Sequence, residues 1–139
     1  MKPSDYAHLP IDDLTSLIIH EMYQTYNMYG PGLFESVYEA TLEGRLVQRG
    51  LFVERQKTIY LNNDYVSNEQ AFRADLIVEN RVVIEIKSVE KIPAVSYMQL
   101  RTYLNLLEID AGLLVNFNCS YLKNNIRRIG RERTTKIAV

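Results

Sequence analysis

Residues 72–87, FRADLIVENRVVIEIK, constrain this chain more than any other stretch. Two runs rich in β-branched residues flank Glu79, Asn80 and Arg81, the pattern of a β-hairpin. A three-residue loop over 79–81 sets Val78 opposite Val82, Leu76 opposite Ile84 and Ala74 opposite Ile86, so that one face is wholly apolar. The other face then pairs Ile77 with Val83 and Asp75 with Glu85, with Arg73 and Lys87 adjoining. A two-residue turn would place Asp75 opposite Ile84 and mix the faces. Register follows the hydrophobic pattern, so the three-residue loop is the expectation.

That register brings two carboxylates to roughly 5 Å from each other at Cβ. Like charges directly opposite one another destabilise a sheet unless something neutralises them. A hard divalent cation such as Mg²⁺ does so through oxygen ligands. Lys87 lies two residues beyond Glu85 on the same face, from which its ammonium can reach a phosphate or a metal-bound water. The plainer alternative is a salt bridge in which Lys87 offsets Glu85. Stability alone is a poor reason for this trio, because desolvating unpaired charges costs roughly several kcal/mol.

The rest of the chain supplies a body for the hairpin. At 139 residues, with 47% hydrophobic and 24% charged, residues 1–139 fit a single compact domain. Asp12 or Asp13 can N-cap a helix whose apolar face carries Leu14, Leu17, Ile18, Met22, Thr25 and Tyr26. Gly30, Pro31 and Gly32 break it. A second helix runs from about Leu33 to Gln48, with Gly50 as its stop. Strands are expected over 52–61, 72–78 and 82–89, then a helix opened by Pro93 and reaching about Glu108. A buried strand over 112–117 and one more around 126–129 complete the order. Together they describe an α/β or α+β domain with a central sheet.

The net charge of −1 exerts no global pull on a polyanion. The C-terminal end, 121–139, is nevertheless basic, with Lys123, Arg127, Arg128, Arg131, Arg133 and Lys136 against Glu132 alone. It reads either as a phosphate-contacting surface or as a solvated tail. No apolar run approaches the roughly 18–20 residues that cross a bilayer. Residues 1–13 lack the apolar core of a signal peptide, so a cytoplasmic protein is expected. A lone Cys119 excludes an internal disulfide and a four-thiolate zinc site. His8 and His20 have no ligand spacing, and no Gly-rich phosphate loop is present.

Asp75, nine residues, then Glu85-Ile86-Lys87 resembles the signature of the PD-(D/E)XK nuclease superfamily, with Ala74 where a proline is usual. Gln99 and Tyr103 are similar to the Q-x-x-x-Y element of its exonuclease-like branch. Gly32, Glu35 and Tyr38 match the pattern that names the GxxExxY family of the same superfamily. Further similarity lies in 73–75, 89–91 and 113–118, so the resemblance covers roughly residues 14 to 130.

The resemblance implies a nuclease-like central mixed sheet flanked by helices, with Asp75 and Glu85 as ligands of Mg²⁺ or Mn²⁺ and the Ile86 carbonyl as a third. It implies that Lys87 orients the attacking water or stabilises the pentavalent phosphate. Glu35 corresponds to an extra acidic residue near the metal, and Gln99 and Tyr103 to the walls of the cleft. Residue by residue, plainer readings stand beside these. Glu35 in a first helical turn suits the helix dipole, Tyr38 suits the core, and Gln99 and Tyr103 suit an ordinary amphipathic helix. Arg73 pairs with an acid or contacts phosphate, while Arg101 is expected in solvent. The expected function is Mg²⁺-dependent hydrolysis of DNA phosphodiester bonds by a metal-activated water. The alternatives are a non-catalytic module that keeps the fold and binds nucleic acid or protein, and a structural homodimer.

Overall fold

The computed structural model describes residues 5–131. Residues 1–4 and 132–139, including Lys2 and the Glu132, Arg133 and Lys136 of the basic end, lie outside the described residues. A short 3-10 turn, Asp5–His8, leads into α1 (Ile11–Tyr29) and α2 (Glu35–Gln48). Strands β1 (Val53–Leu61), β2 (Glu69–Val78) and β3 (Val82–Lys87) follow, then α3 (Val95–Leu107), β4 (Ala111–Asn116) and β5 (Ile126–Gly130). The five strands form one sheet in sequential order. Only the β3–β4 pair is parallel, because α3 carries the chain back across the sheet between them.

Helices cover both faces. Leu14, Ile18 and Met22 of α1 and Tyr38, Leu42 and Leu46 of α2 pack on Leu76, Val78, Val82, Ile84, Ile86, Leu113 and Val115. Leu100 and Leu104 of α3 pack on Ile77, Val83, Leu114 and Ile129 from the other side. The alternation expected of the hairpin is present: Leu76 pairs with Ile84, Ile77 with Val83 and Val78 with Val82. Glu79 and Asn80 take left-handed conformations (φ of 55° and 54°) to make the turn, and the Arg81 N–H donates to the Val78 carbonyl at 2.9 Å.

Some boundaries differ from expectation. Pro10 is the N-cap of α1, and Asp12 and Asp13 fall in its first turn. Proline's fixed φ suits a helix entry, and the two acids there meet the positive end of the dipole. The α2 helix begins at Glu35, two residues later than expected, since the turn over 30–33 is held by Tyr38 instead. Its end is as expected: Leu51 N–H donates to Leu46 O and Gly50 N–H to Val47 O, with Gly50 at φ +88°. This is a Schellman stop. Ala74 is the exception on the hairpin. It packs with Phe72, Ile77 and Val83 on the α3 side and not with Leu76, because the strand changes face at the next residue.

Candidate active site

That residue is Asp75, where β2 loses its partner on each side. The β1–β2 ladder pairs Arg55 with Leu76 and Lys57 with Ala74 and skips Gln56 and Asp75. Gln56 holds φ at 52°, a conformation non-glycine residues rarely adopt. The β2–β3 ladder stops at Leu76 and Ile84. Beyond it, side chains stand in for carbonyls. The Ile86 N–H donates to Asp75 Oδ2 at 2.8 Å, and the Asp75 N–H donates to Glu85 Oε2 at 3.1 Å. The two acids are thereby locked to each other's strands through side-chain-to-backbone hydrogen bonds, whereas the expected ladder pairs Asp75–Glu85 and Ala74–Ile86 do not form, because β2 and β3 part beyond Leu76 and Ile84.

Their electrostatics follow from that embrace. Burial pushes the Glu85 carboxyl up to about 8, reinforced by the Asp75 charge. Burial also raises Asp75, opposed by the Ile86 N–H, with the Glu39 charge raising it further and Lys87 lowering it. Half-buried Lys87 acts on both acids through space and makes no direct ion pair among the described residues. Tyr103, on α3, stacks flat on Phe72, with ring centroids 3.9 Å apart. Its hydroxyl is raised first by burial, then by Glu85 and Asp75, which puts it within their field. Gln99, one turn earlier on α3, is exposed and makes no side-chain hydrogen bond among the described residues.

Glu35 is exposed, and its carboxylate accepts the Ser88 N–H at 3.1 Å. Ser88 Oγ donates to Leu33 O at 2.6 Å, so the α1–α2 turn grips the chain one residue past Lys87. The elements around Glu35 support this grip. Gly32 takes φ +100°, and Tyr38 donates to Gly30 O at 2.6 Å while its ring stacks on Phe117, 4.5 Å away. Buried Asn116 of β4 closes the other side: its side chain donates to Val89 O and accepts the N–H groups of Val89 and Asn118. Phe117 N–H also donates to Lys87 O at 2.9 Å. The strand end carrying Lys87 is therefore fixed from both flanks.

The acid that reaches the Asp75 side of the site is Glu39, one helical turn beyond Glu35. Gln56 Nε2 donates to Glu39 Oε1 at 2.7 Å and to Asp75 Oδ1 at 3.3 Å, and Arg55 Nε donates to Glu39 Oε2 at 2.7 Å. Sequence reasoning assigned neither Glu39 nor Gln56 to the site. The helical face shared with Glu35 and Tyr38 was a usable signal for Glu39. Nothing in a glutamine within a strand marks Gln56. Among the described residues no three His, Cys, Asp or Glu converge as a ready metal cage, so the constellation is a carboxylate pair with a lysine beside it.

A mixed five-stranded sheet covered by helices on both faces is consistent with the PD-(D/E)XK nuclease fold. The chain belongs to the PD-(D/E)XK nuclease superfamily, whose family model matches residues 12–129. Its members are typically nucleases that work with divalent metal ions. Neither a curated protein nor a solved structure matches the chain. No helix among the described residues is long and apolar enough to cross a membrane.

Proposed function

We propose that this protein hydrolyses phosphodiester bonds of DNA with the help of Mg²⁺ or Mn²⁺, as a member of the GxxExxY branch of the superfamily. The observation that carries the reading is the Asp75–Glu85 embrace. Two carboxylates are held together at a cost in repulsion and desolvation that Lys87 offsets only through space, with no ion pair to either acid among the described residues. Their hard oxygen donors fit a divalent ion of the Mg²⁺ type, which takes few protein ligands and completes its shell with water. Asp75 and Glu85 would hold it, with the Ile86 carbonyl beside them. Such an ion supplies Lewis acidity toward a phosphoryl oxygen and lowers the pKa of water.

The chain's own groups do the rest. Lys87 presents a cation where negative charge grows on the phosphate, from a strand end whose backbone Asn116, Phe117 and the α1–α2 turn hold in place. The Tyr103 hydroxyl and Gln99 stand on the α3 wall of the approach, where they can orient a strand. Glu39 and Gln56 fix the Asp75 carboxylate from behind. Glu35 acts on the backbone at Ser88.

Calorimetric titration with Mg²⁺ and Mn²⁺, paired with cleavage of single- and double-stranded DNA, tests this. Wild type takes up the ion and cuts slowly. Asp75→Ala does neither. A wild-type protein that takes up no ion and cuts no substrate is instead a non-catalytic binding module on this fold.

A further inference from the structure

Beside the carboxylate pair, a groove of about 560 Å³ opens at the C-terminal ends of β3 and β4. Its walls are the 90–94 segment that follows β3, the start of α3, the end of β4 and the entry to β5. The register ties it to the site. Asn116 in its wall is the β4 partner of Lys87, and Arg127 lies in one row with Leu114 and Glu85. Two strand spacings put Arg127 about 10 Å from Glu85 along that row. Lys87, Asn116 and Arg127 also share strand parity with Val83, Leu114 and Ile129, all of which face α3. The groove, Glu85 and Lys87 therefore lie on one side of the sheet, at one end of it.

The lining has a definite chemistry. Lys91 and Arg127 are two cations against a single acid, Glu90. Both are exposed, and neither forms an ion pair among the described residues. Their basic neighbours differ: Arg128 is tied to Asp12 at 2.6 Å and Arg131 to Asp110 at 3.3 Å. Tyr97 offers a half-buried ring anchored on the α3-side core, and Asn124 and Asn125 offer side-chain amides at the rim. Free cations, an anchored aromatic face and amides able to donate and accept are what an unstacked nucleotide presents partners for. The groove volume is of the size that holds a small organic ligand.

We infer that this groove is a subsite for a nucleotide of single-stranded DNA beside the cleaved bond, with Lys91 and Arg127 on its phosphates and the Tyr97 ring against its base. The inference rests on the nuclease reading for its place in catalysis, but its binding claim stands apart. A duplex keeps its bases stacked and leaves Tyr97 without a partner, so the subsite favours single strands.

The test is anisotropy of a fluorescein-labelled oligothymidylate, and of a labelled duplex, in metal-free buffer over a range of salt. Wild type binds the single strand more tightly than the duplex. Arg127→Ala and Lys91→Ala each weaken single-strand binding about three- to tenfold and each lower the salt slope by about 0.7, the share of one phosphate contact. Melting temperatures stay unchanged, since both side chains are exposed and unpaired. Tyr97→Leu, which keeps apolar packing, weakens the single strand and leaves the salt slope alone. Unchanged affinity and slope in the two cation variants overturns the subsite, as does equal or better binding of the duplex, or no single-strand binding at low salt. Cleavage by wild type in Mg²⁺ is scored separately. Cutting without any effect of the groove variants leaves the nuclease reading intact and removes the subsite. Groove-dependent binding without cutting does the reverse.

Discussion

Glu85 reaches back across the parting strands to accept the main-chain N–H of Asp75 at 3.1 Å, and Asp75 answers by accepting the N–H of Ile86 at 2.8 Å. Each acid thus completes a ladder that backbone carbonyls have abandoned. The exchange places two ionisable carboxyls in one half-buried spot, where Glu85 holds its proton up to about 8, and it makes the pair a structural element as well as a chemical one. Replacing either acid therefore has two separable consequences.

The first concerns pH. Glu85 carries a proton more tightly in the folded chain, where its carboxyl is pushed up to about 8, than in the unfolded chain. The stability this contributes is full below the ordinary glutamate range near 4.5 and is lost as pH rises through about 8. Metal-free protein should lose several degrees of melting temperature between mildly acidic and mildly alkaline buffer. Saturating Mg²⁺ should flatten the slope, because the ion binds the deprotonated pair. Glu85→Gln should flatten it without metal. Melting curves across that range decide it, and a metal-free slope of zero in wild type would contradict the paired-acid account.

The second separates charge from hydrogen bonding at Asp75. Asp75→Asn keeps an oxygen for the Ile86 N–H and removes one of two repelling charges, so at pH 8 without metal it should be as stable as wild type or more so. Asp75→Ala leaves that N–H unpaired and should cost about 1–3 kcal/mol. Denaturant titration of both variants reads the difference directly. Equal destabilisation by the two would show that the carboxylate charge, and not its role as acceptor, holds the strand.

How much of this was legible beforehand depends on whether a residue's role follows from period or from backbone strain. The hairpin register next to the turn was legible because the apolar positions Leu76, Val78, Val82 and Ile84 fit only one turn length, although its continuation to Ala74 and Ile86 was not, and the stop at Gly50 because glycine is the usual residue for that left-handed position. The change of face at Asp75 was not, since it depends on Gln56 holding a positive φ, a conformation that glutamine does not announce. Glu35 and Glu39 share a helical face, and the family pattern pointed to Glu35, while the periodicity did not separate the two. The choice depends on where α2 starts. With Glu35 as its first residue, Glu35 faces the turn and Ser88, and Glu39, one turn deeper, is the buried acid. Asn116 showed only as part of a similar stretch, because its amide acts on the backbone of Val89 and Asn118 and not on a neighbour that spacing would reveal.

Glu35 gives a third prediction, in which two roles diverge. As an acceptor for the Ser88 N–H it needs an oxygen and no charge. Glu35→Gln should then keep most cleavage activity and ion affinity, whereas Glu35→Ala should lower kcat about tenfold by loosening the strand end after Lys87, with KM little changed. An acid acting near the ion would lose as much in Gln as in Ala. Steady-state cleavage by the two variants, with calorimetry of ion uptake, tells these roles apart.

The last prediction isolates Lys87. Its ammonium interacts with Asp75 and Glu85 only through space, and it lowers the pKa of both. Removing it should therefore raise both acids further and weaken ion uptake modestly near neutral pH, while leaving the carboxylate donors in place. Cleavage depends on that cation more heavily, because charge developing on a phosphate is stabilised best by a group already fixed in position. Lys87→Ala should cut the rate by about 10²-fold or more, the scale seen when one such fixed group is removed. Calorimetry and single-turnover cleavage on the same preparation, near neutral and again at higher pH, separate the effects. At the higher pH ion uptake should recover toward wild type, and cleavage should not. If raising the pH restored both together, Lys87 would act only by tuning the acids, and its role at the phosphate would be withdrawn.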